Sequence, residues 1–315
     1  MEIIPRKYTF VTVVFDLEYE LLALQARSMR LYCPLEMIDS IIVIDNSDRP
    51  IEPDKKSRII AEYGSLAETV TFLTAMDVAQ VPEANGWWTQ QILKLMAAKT
   101  IRSERYIILD AKNHFVFNLK PEFLEAPDGR ARIKVEGYRN HPLREDLVGV
   151  LSYLGVYSDT YLETFTTTTP PFVMYTNIVR ELIQNISESE KSSFESVFIQ
   201  RRFSEFLLYT GYIIQSGVDL TDIYDFHQVS CPTIWEHAAD DEGCIKAIAC
   251  ASRWQAPLFS LHRQAIVKLP RSARNLVAEF WYNRKLFESK ESANSFISDF
   301  RQHYIRRRLH LLRQL

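Results

Sequence analysis

An α/β fold is predicted: a mostly parallel central sheet flanked by helices, followed by a helical C-terminal extension. Three observations predict it. Near-continuous apolar runs of strand length alternate with helix-length segments through the first third of the chain. Those runs lack the polar alternation of a sheet that faces water on one side, so both faces are covered. No Gly-rich phosphate loop of the Walker or dinucleotide type occurs, which sets those two α/β families aside.

The elements follow in order. "YTFVTVVF" (8–15) reads as a buried strand and "EYELLALQARSMRLY" (18–32) as the helix after it. "SIIVIDNS" (40–47) is a second strand ending in Asp45, Asn46 and Ser47. A short helix from Lys55 to Tyr63 leads to a third strand, "TVTFL" (69–73). "WWTQQILKLMAAKT" (87–100) is a helix, and "RYIILD" (105–110) a fourth strand. Ligands of such sheets sit beyond the carboxyl ends of the strands, so Asp16, Asp45, Asn46 and Asp110 are expected at one rim. Residues 118–180 look irregular, 192–215 helical, 222–237 like short strands or turns, and the chain from about Leu269 is helical and basic. The simplest partition is a catalytic-type domain over 1–261 and a basic helical extension over 262–315.

Composition bounds the function. Hydrophobic residues at 47% and charged residues at 24% fit a globular chain with a substantial core. The apolar runs are too short to cross a bilayer, and the N-terminus lacks a secretory pattern, so a cytoplasmic location is expected. Four cysteines (33, 231, 244 and 250) have no metal-like spacing and read as free thiols. Net charge is −3, but 262–315 holds twelve Lys or Arg against four Asp or Glu. That segment is about +8 and the remainder about −11. In "FISDFRQHYIRRRLHLLRQL" (296–315), Ile297, Phe300, Tyr304 and Leu309 oppose Arg301, Arg306, Arg307 and Arg308. The pattern suits an anionic membrane surface, peripheral at the inner membrane, or equally a partner helix or self-association. The acidic remainder disfavours nucleic acid.

Three constellations carry chemistry, each with a plainer alternative. On the helix over 87–100, Trp88, Ile92, Leu95 and Met96 form a face for the sheet. Trp87, Gln90, Gln91 and Lys94 lie opposite, as a ligand face or a solvated one. Asp110 ends an apolar strand and is either a cation ligand or a turn cap through Asn113. Lys112 stands where a second carboxylate completes such a site, and it can neutralise a phosphate itself. His114 is a candidate ligand or phosphate contact. In "FESVFIQRRFSEFLLYTGY" (194–212), read as one helix, Glu205 falls in an apolar stripe with Arg201. It either pairs with Arg201 or serves as a base whose pKa is raised by desolvation. "TTTTPPF" (166–172) is a loop able to line an acceptor, and His141, His227 and His237 read singly as structural.

Together these residues resemble the centre of GT-A-fold glycosyltransferases, particularly the retaining family that includes glycogenin-like enzymes. A basic residue on a helix is followed sixteen positions later by a strand-ending acid, Lys94 to Asp110. The blocks "LLALQARSMRLY", "GWWTQQILKL", "YIILDAKNHF" and "FSEFLLYTGY" more closely resemble a largely uncharacterised bacterial family of proposed glycosyltransferases, over roughly residues 8–237. The resemblance implies a GT-A-like sheet and transfer of a sugar from a nucleotide-sugar donor to a hydroxyl of a glycan or glycolipid, in cell-envelope polysaccharide synthesis. It implies donor contacts at Asp16, Asp45, Asn46, Gln90, Gln91, Lys94, Lys112 and His114. Asp110 takes the place of the first acid of the Asp-x-Asp motif and Glu205 that of the late helix-borne acid. A divalent cation, Mn or Mg, at Asp110 is implied as well, and Lys112 in place of the second acid puts it in doubt. Two alternatives remain open: a non-catalytic sugar-nucleotide or glycan-binding relative, and a phosphatase-type enzyme, which needs a second Asp where Lys112 stands.

Overall fold

The computed structural model describes residues 6–82, 86–228 and 230–312, with side chains as far as 307. Strands β1 (Tyr8–Val14), β2 (Ile38–Asp45), β3 (Val70–Thr74) and β4 (Arg105–Asp110) form the predicted parallel sheet in the order β3-β2-β1-β4. Every residue of β1 is buried, as expected of a central strand covered on both faces. Helix α1 (Tyr19–Tyr32) connects β1 to β2, and α2 (Pro53–Glu62) connects β2 to β3. The chain then reverses: helix Gly86–Met96 carries it across to β4 on the other side of β1. The switch in strand order opens a crevice beyond the carboxyl ends of β1 and β4, where open α/β sheets take their ligands.

Two strand pairings of the later chain are absent from the sequence reading. Strand Phe172–Tyr175, directly after "TTTTPP", pairs antiparallel to β4 and closes the sheet edge. A second small sheet joins β5 (Asn113–Phe115) to Leu258–Leu261, which also pairs with Thr233–Ile234. It brings Trp235, His262 and Arg263 alongside the turn that follows β4. The segment read as one helix over 194–212 is two, Phe194–Arg201 and Glu205–Gln215. Arg202 adopts a left-handed conformation (φ 55°) between them, which ends the first helix and redirects the second.

One continuous apolar core runs from Tyr8 to Tyr304. The C-terminal helices contribute to it through Trp281, Ile297, Phe300 and Tyr304. The apolar face predicted for the tail is therefore turned inward as far as Tyr304, not toward a membrane. The side chains of Arg308 and Leu309 lie outside the described residues. No helix among the described residues is long and apolar enough to cross a membrane.

Candidate functional site

Parallel register sets the site. Val13 of β1 pairs with Asp110 of β4, and Val14 with Asp45 of β2. β1 thus ends between two strands that each terminate in a carboxylate. The turn after β4 is fixed from below by Gln25 of α1. Its Nε2 donates to the carbonyls of Asp110 (2.8 Å) and Asn113 (2.9 Å), and its Oε1 accepts from Thr12 Oγ1 (2.9 Å). The Asp110 backbone N–H donates to Asn113 Oδ1 at 2.7 Å. Asp110 is thereby held in place with its carboxylate between Lys94 and Lys112. The sequence signal for this support is a glutamine and a serine, Gln25 and Ser28, buried on an otherwise apolar helix face.

Lys94 reaches the same point from helix Gly86–Met96. Its ammonium lies 3.1 Å from Asp110 Oδ1 and 3.1 Å from Glu205 Oε1, over the ring of Phe206. The residue is only 5% exposed. Gln91, one turn earlier, accepts a hydrogen bond from the Glu205 backbone N–H at 3.2 Å. Helix Glu205–Gln215 therefore covers the face predicted to meet ligand or solvent. Of that face, Gln91 and Lys94 are buried, Gln90 reaches the Val13 carbonyl (3.4 Å), and Trp87 stays exposed. Lys112 pairs with Asp110 Oδ2 and lies over the Trp235 ring. Glu205 does not pair with Arg201: the break at Arg202 separates them, and Arg201 reaches Glu190 instead.

Charge in this cluster is held by mutual neutralisation. Burial works against the Asp110 carboxylate, but Lys112 and then Lys94 hold its pKa well below the usual range. Burial likewise works against the Lys94 ammonium, yet Asp110 and Glu205 together raise its pKa. Burial raises Glu205, and Lys94 offsets that only in part. Asp110, with two cationic neighbours, is the firmly ionised acid; Glu205, with one, is the more easily protonated.

A divalent cation does not fit these residues. Both oxygens of Asp110 face ammonium groups, and a protonated lysine cannot ligate a metal. Among the described residues no three His, Cys, Asp or Glu side chains gather in metal-binding proximity. The site has the chemistry of an anion receptor with its own carboxylates in place.

The other predicted residues fall differently. Asp45 is committed to its own loop, accepting from Tyr19 Oη (2.9 Å), Ser47 N (3.1 Å) and Ile51 N (3.0 Å). Asn46 bonds the Val14 carbonyl through its backbone (2.8 Å) and the Gly86 carbonyl through its side chain (3.2 Å), tying β2 to the start of the lysine-bearing helix. Asp16 is ion-paired to Arg307 of the C-terminal helix Lys290–Leu312. His114, expected at the rim, is turned into the C-terminal helices. Its Nε2 accepts from Trp281 Nε1 at 2.8 Å, which leaves Nδ1 to donate to the Lys112 carbonyl at 3.2 Å. Burial pushes its pKa down to about 4, so it is a neutral packing residue at neutral pH.

None of the curated proteins matches the chain. Among solved structures, a galactosyltransferase, LgtC, in complex with donor and acceptor sugar analogues is 12% identical with a TM-score of 0.39, over 63% of this chain and 71% of that one. Core-mannan synthase A from Aspergillus fumigatus, in an Mn/GDP form, is 10% identical with a TM-score of 0.42, over 68% and 71%. Glucosyl-3-phosphoglycerate synthase from Mycobacterium tuberculosis, in complex with Mn2+, UDP and phosphoglyceric acid, is 14% identical with a TM-score of 0.33, over 55% and 57%. Likeness at this level assigns no residue of the site. A family described as of unknown function, DUF6492, matches residues 16–243, a span that holds Asp16, Lys94, Asp110, Lys112 and Glu205. The chain belongs to that family.

Proposed function

We propose that this chain is a glycosyltransferase that binds a nucleotide-sugar donor at the crevice between β1 and β4 and transfers the sugar to a hydroxyl of a glycan or glycolipid. One observation carries the reading. Three of the four sequence blocks that resemble the bacterial family of proposed glycosyltransferases converge on a single buried cluster: Gln91 and Lys94 from "GWWTQQILKL", Asp110 and Lys112 from "YIILDAKNHF", Glu205 from "FSEFLLYTGY". In the proposed reaction the acceptor hydroxyl oxygen attacks the anomeric carbon, the bond from that carbon to the donor phosphate breaks, the nucleotide leaves with the electron pair, and the hydroxyl proton passes to the departing phosphate oxygen. Lys94 and Lys112 offset the charge that develops on the leaving phosphate, the part of the reaction that fixed cations serve best. Glu205, 3.1 Å from Lys94 and buried, acts as a positioning residue for that lysine. Synthesis of cell-envelope polysaccharide is the setting that the resemblance favours.

A second reading has one observation in its favour. Asp110 is neutralised from both sides, which also suits a relative that binds a sugar nucleotide without turning it over. Release of nucleoside diphosphate from a panel of donors, with and without EDTA, separates the two. The transferase reading expects release that survives EDTA and falls at least about a hundredfold in Lys94→Ala, the scale of loss when one charge-stabilising donor is removed. Binding of a donor without release supports the second reading. Calorimetry that detects no binding of any common sugar nucleotide ends both.

A further inference from the structure

We infer that Arg263, which follows the strand Leu258–Leu261, is a third cation of this anion site, set in place by Glu18. The inference rests on reading the crevice as the site of the donor phosphates. Glu18, just after β1, is 6% exposed, and its Oε1 accepts from Arg263 Nη1 at 2.5 Å. The Arg263 side chain is one-third exposed, and its guanidinium lies over the Phe15 ring, 5.1 Å from its centroid. A pair that served folding alone has no need of this asymmetry, in which the carboxylate is buried and the arginine side chain is partly exposed. Of the five N–H donors a guanidinium carries, one is used on Glu18 among the described residues, which leaves the fork open to a second oxyanion.

Position supports the assignment. The strand before Arg263 pairs with β5, so the residue is carried to the turn that bears Asp110 and Lys112. Burial raises the Glu18 pKa; Arg263 and then Lys112 act against that shift, and Asp110 adds to it, which places all three charges around Glu18. Cations and carboxylates therefore alternate along the rim: Glu205, Lys94, Asp110, Lys112, Glu18, Arg263. Three fixed cations on one edge, the last able to bind two oxygens at once, match a pair of linked phosphates better than a single carboxylate.

Calorimetry of the full chain with UDP, uridine and inorganic pyrophosphate tests this. Arg263→Ala is expected to weaken UDP and pyrophosphate about tenfold or more, the loss of one charge-assisted contact. Arg263→Lys is expected to fall between it and the unaltered chain, and uridine to gain nothing from the arginine. Glu18→Gln keeps an acceptor for Arg263 but removes the competing charge, so it is expected to tighten both phosphates several-fold. Equal UDP and pyrophosphate affinities for Arg263→Ala and the unaltered chain overturn the inference while leaving the crevice reading intact. An unaltered chain that binds neither phosphate overturns both. Should Arg263→Ala not fold, Glu18→Gln decides alone: tighter binding upholds the assignment, and unchanged or weaker binding overturns it.

Discussion

Lys94 holds two carboxylates on one buried ammonium, and that arrangement has a measurable consequence for stability. Removing one partner of a buried ion pair leaves an uncompensated charge and costs about 3–5 kcal/mol, whereas an apolar replacement of both is often neutral. Lys94→Met strands Glu205, which is as buried as the lysine, while Asp110 keeps Lys112. Urea unfolding is therefore expected to show the single variant destabilised by about 3–5 kcal/mol, with most of that loss recovered in Lys94→Met/Glu205→Leu. A single variant as stable as the parent would show that the ammonium is not held as an ion. Asp110 and Glu205 were legible in the sequence because a charge at a strand end or in an apolar helix stripe conflicts with its local pattern, and Lys94 because it shares a helix face with two glutamines and a tryptophan. Glu18 and Arg263 were not legible, since each is an ordinary charged residue in a loop or first turn until the other is placed beside it. Gln25 lies between: its apolar helix face gives a signal, but the two carbonyls it holds sit 85 and 88 residues away.

Single strands and helices were read well where one apolar run decides them, as in β1, β2 and β4, and poorly where the backbone turns without a Gly or Pro. Phe194–Arg201 and Glu205–Gln215 look like one helix because their apolar spacing is continuous across Arg202. A non-glycine residue in the left-handed region costs about 1 kcal/mol, so Arg202→Gly is expected to raise the unfolding free energy measured in urea by about that amount without changing activity. β5 gives a second expectation. His114 is neutral and buried against Trp281, with its pKa at about 4 against 6.5 for the free side chain. A folded pKa below the unfolded one means that the histidine contributes stability above about pH 6.5. That contribution is lost as pH falls through about 4, and its full size is on the order of 3 kcal/mol. His114→Gln keeps an acceptor for the indole but does not titrate. Its stability curve between pH 7 and 4 is expected to be flatter than the parent's, and two parallel curves would remove His114 as a source of acid sensitivity.

For the molecule as a whole, the question is what the basic segment 262–315 does, and part of its charge and much of its apolar surface meet the rest of the chain. Sequence periodicity shows that the segment is helical and amphipathic but not which surface it covers, because that depends on pairings across the length of the chain. Arg263 and Arg307 meet Glu18 and Asp16 on the turn after β1. Arg27 and Tyr32 of α1 donate to the carbonyls of Leu286 (3.0 Å) and Arg284 (2.5 Å), and Trp281 donates to His114. Part of the +8 against −11 asymmetry is thus satisfied within one chain. If these contacts make 262–315 part of one folding unit, a chain ended at Leu261 uncovers the core against which Trp281, Ile297 and Phe300 pack, each of them 3% exposed or less. Full burial of one large apolar side chain contributes about 1.5–3 kcal/mol, so losing three removes an amount comparable to the 5–15 kcal/mol that holds a domain folded. The shortened chain is expected to bind a dye for exposed apolar surface and to unfold without a cooperative transition. Adding residues 262–315 back as a separate polypeptide is expected to restore part of the transition, since the two pieces present complementary apolar and charged faces. A shortened chain that melts cooperatively near the parent temperature would instead mark 1–261 as an independent domain and 262–315 as an appendage free to engage another partner.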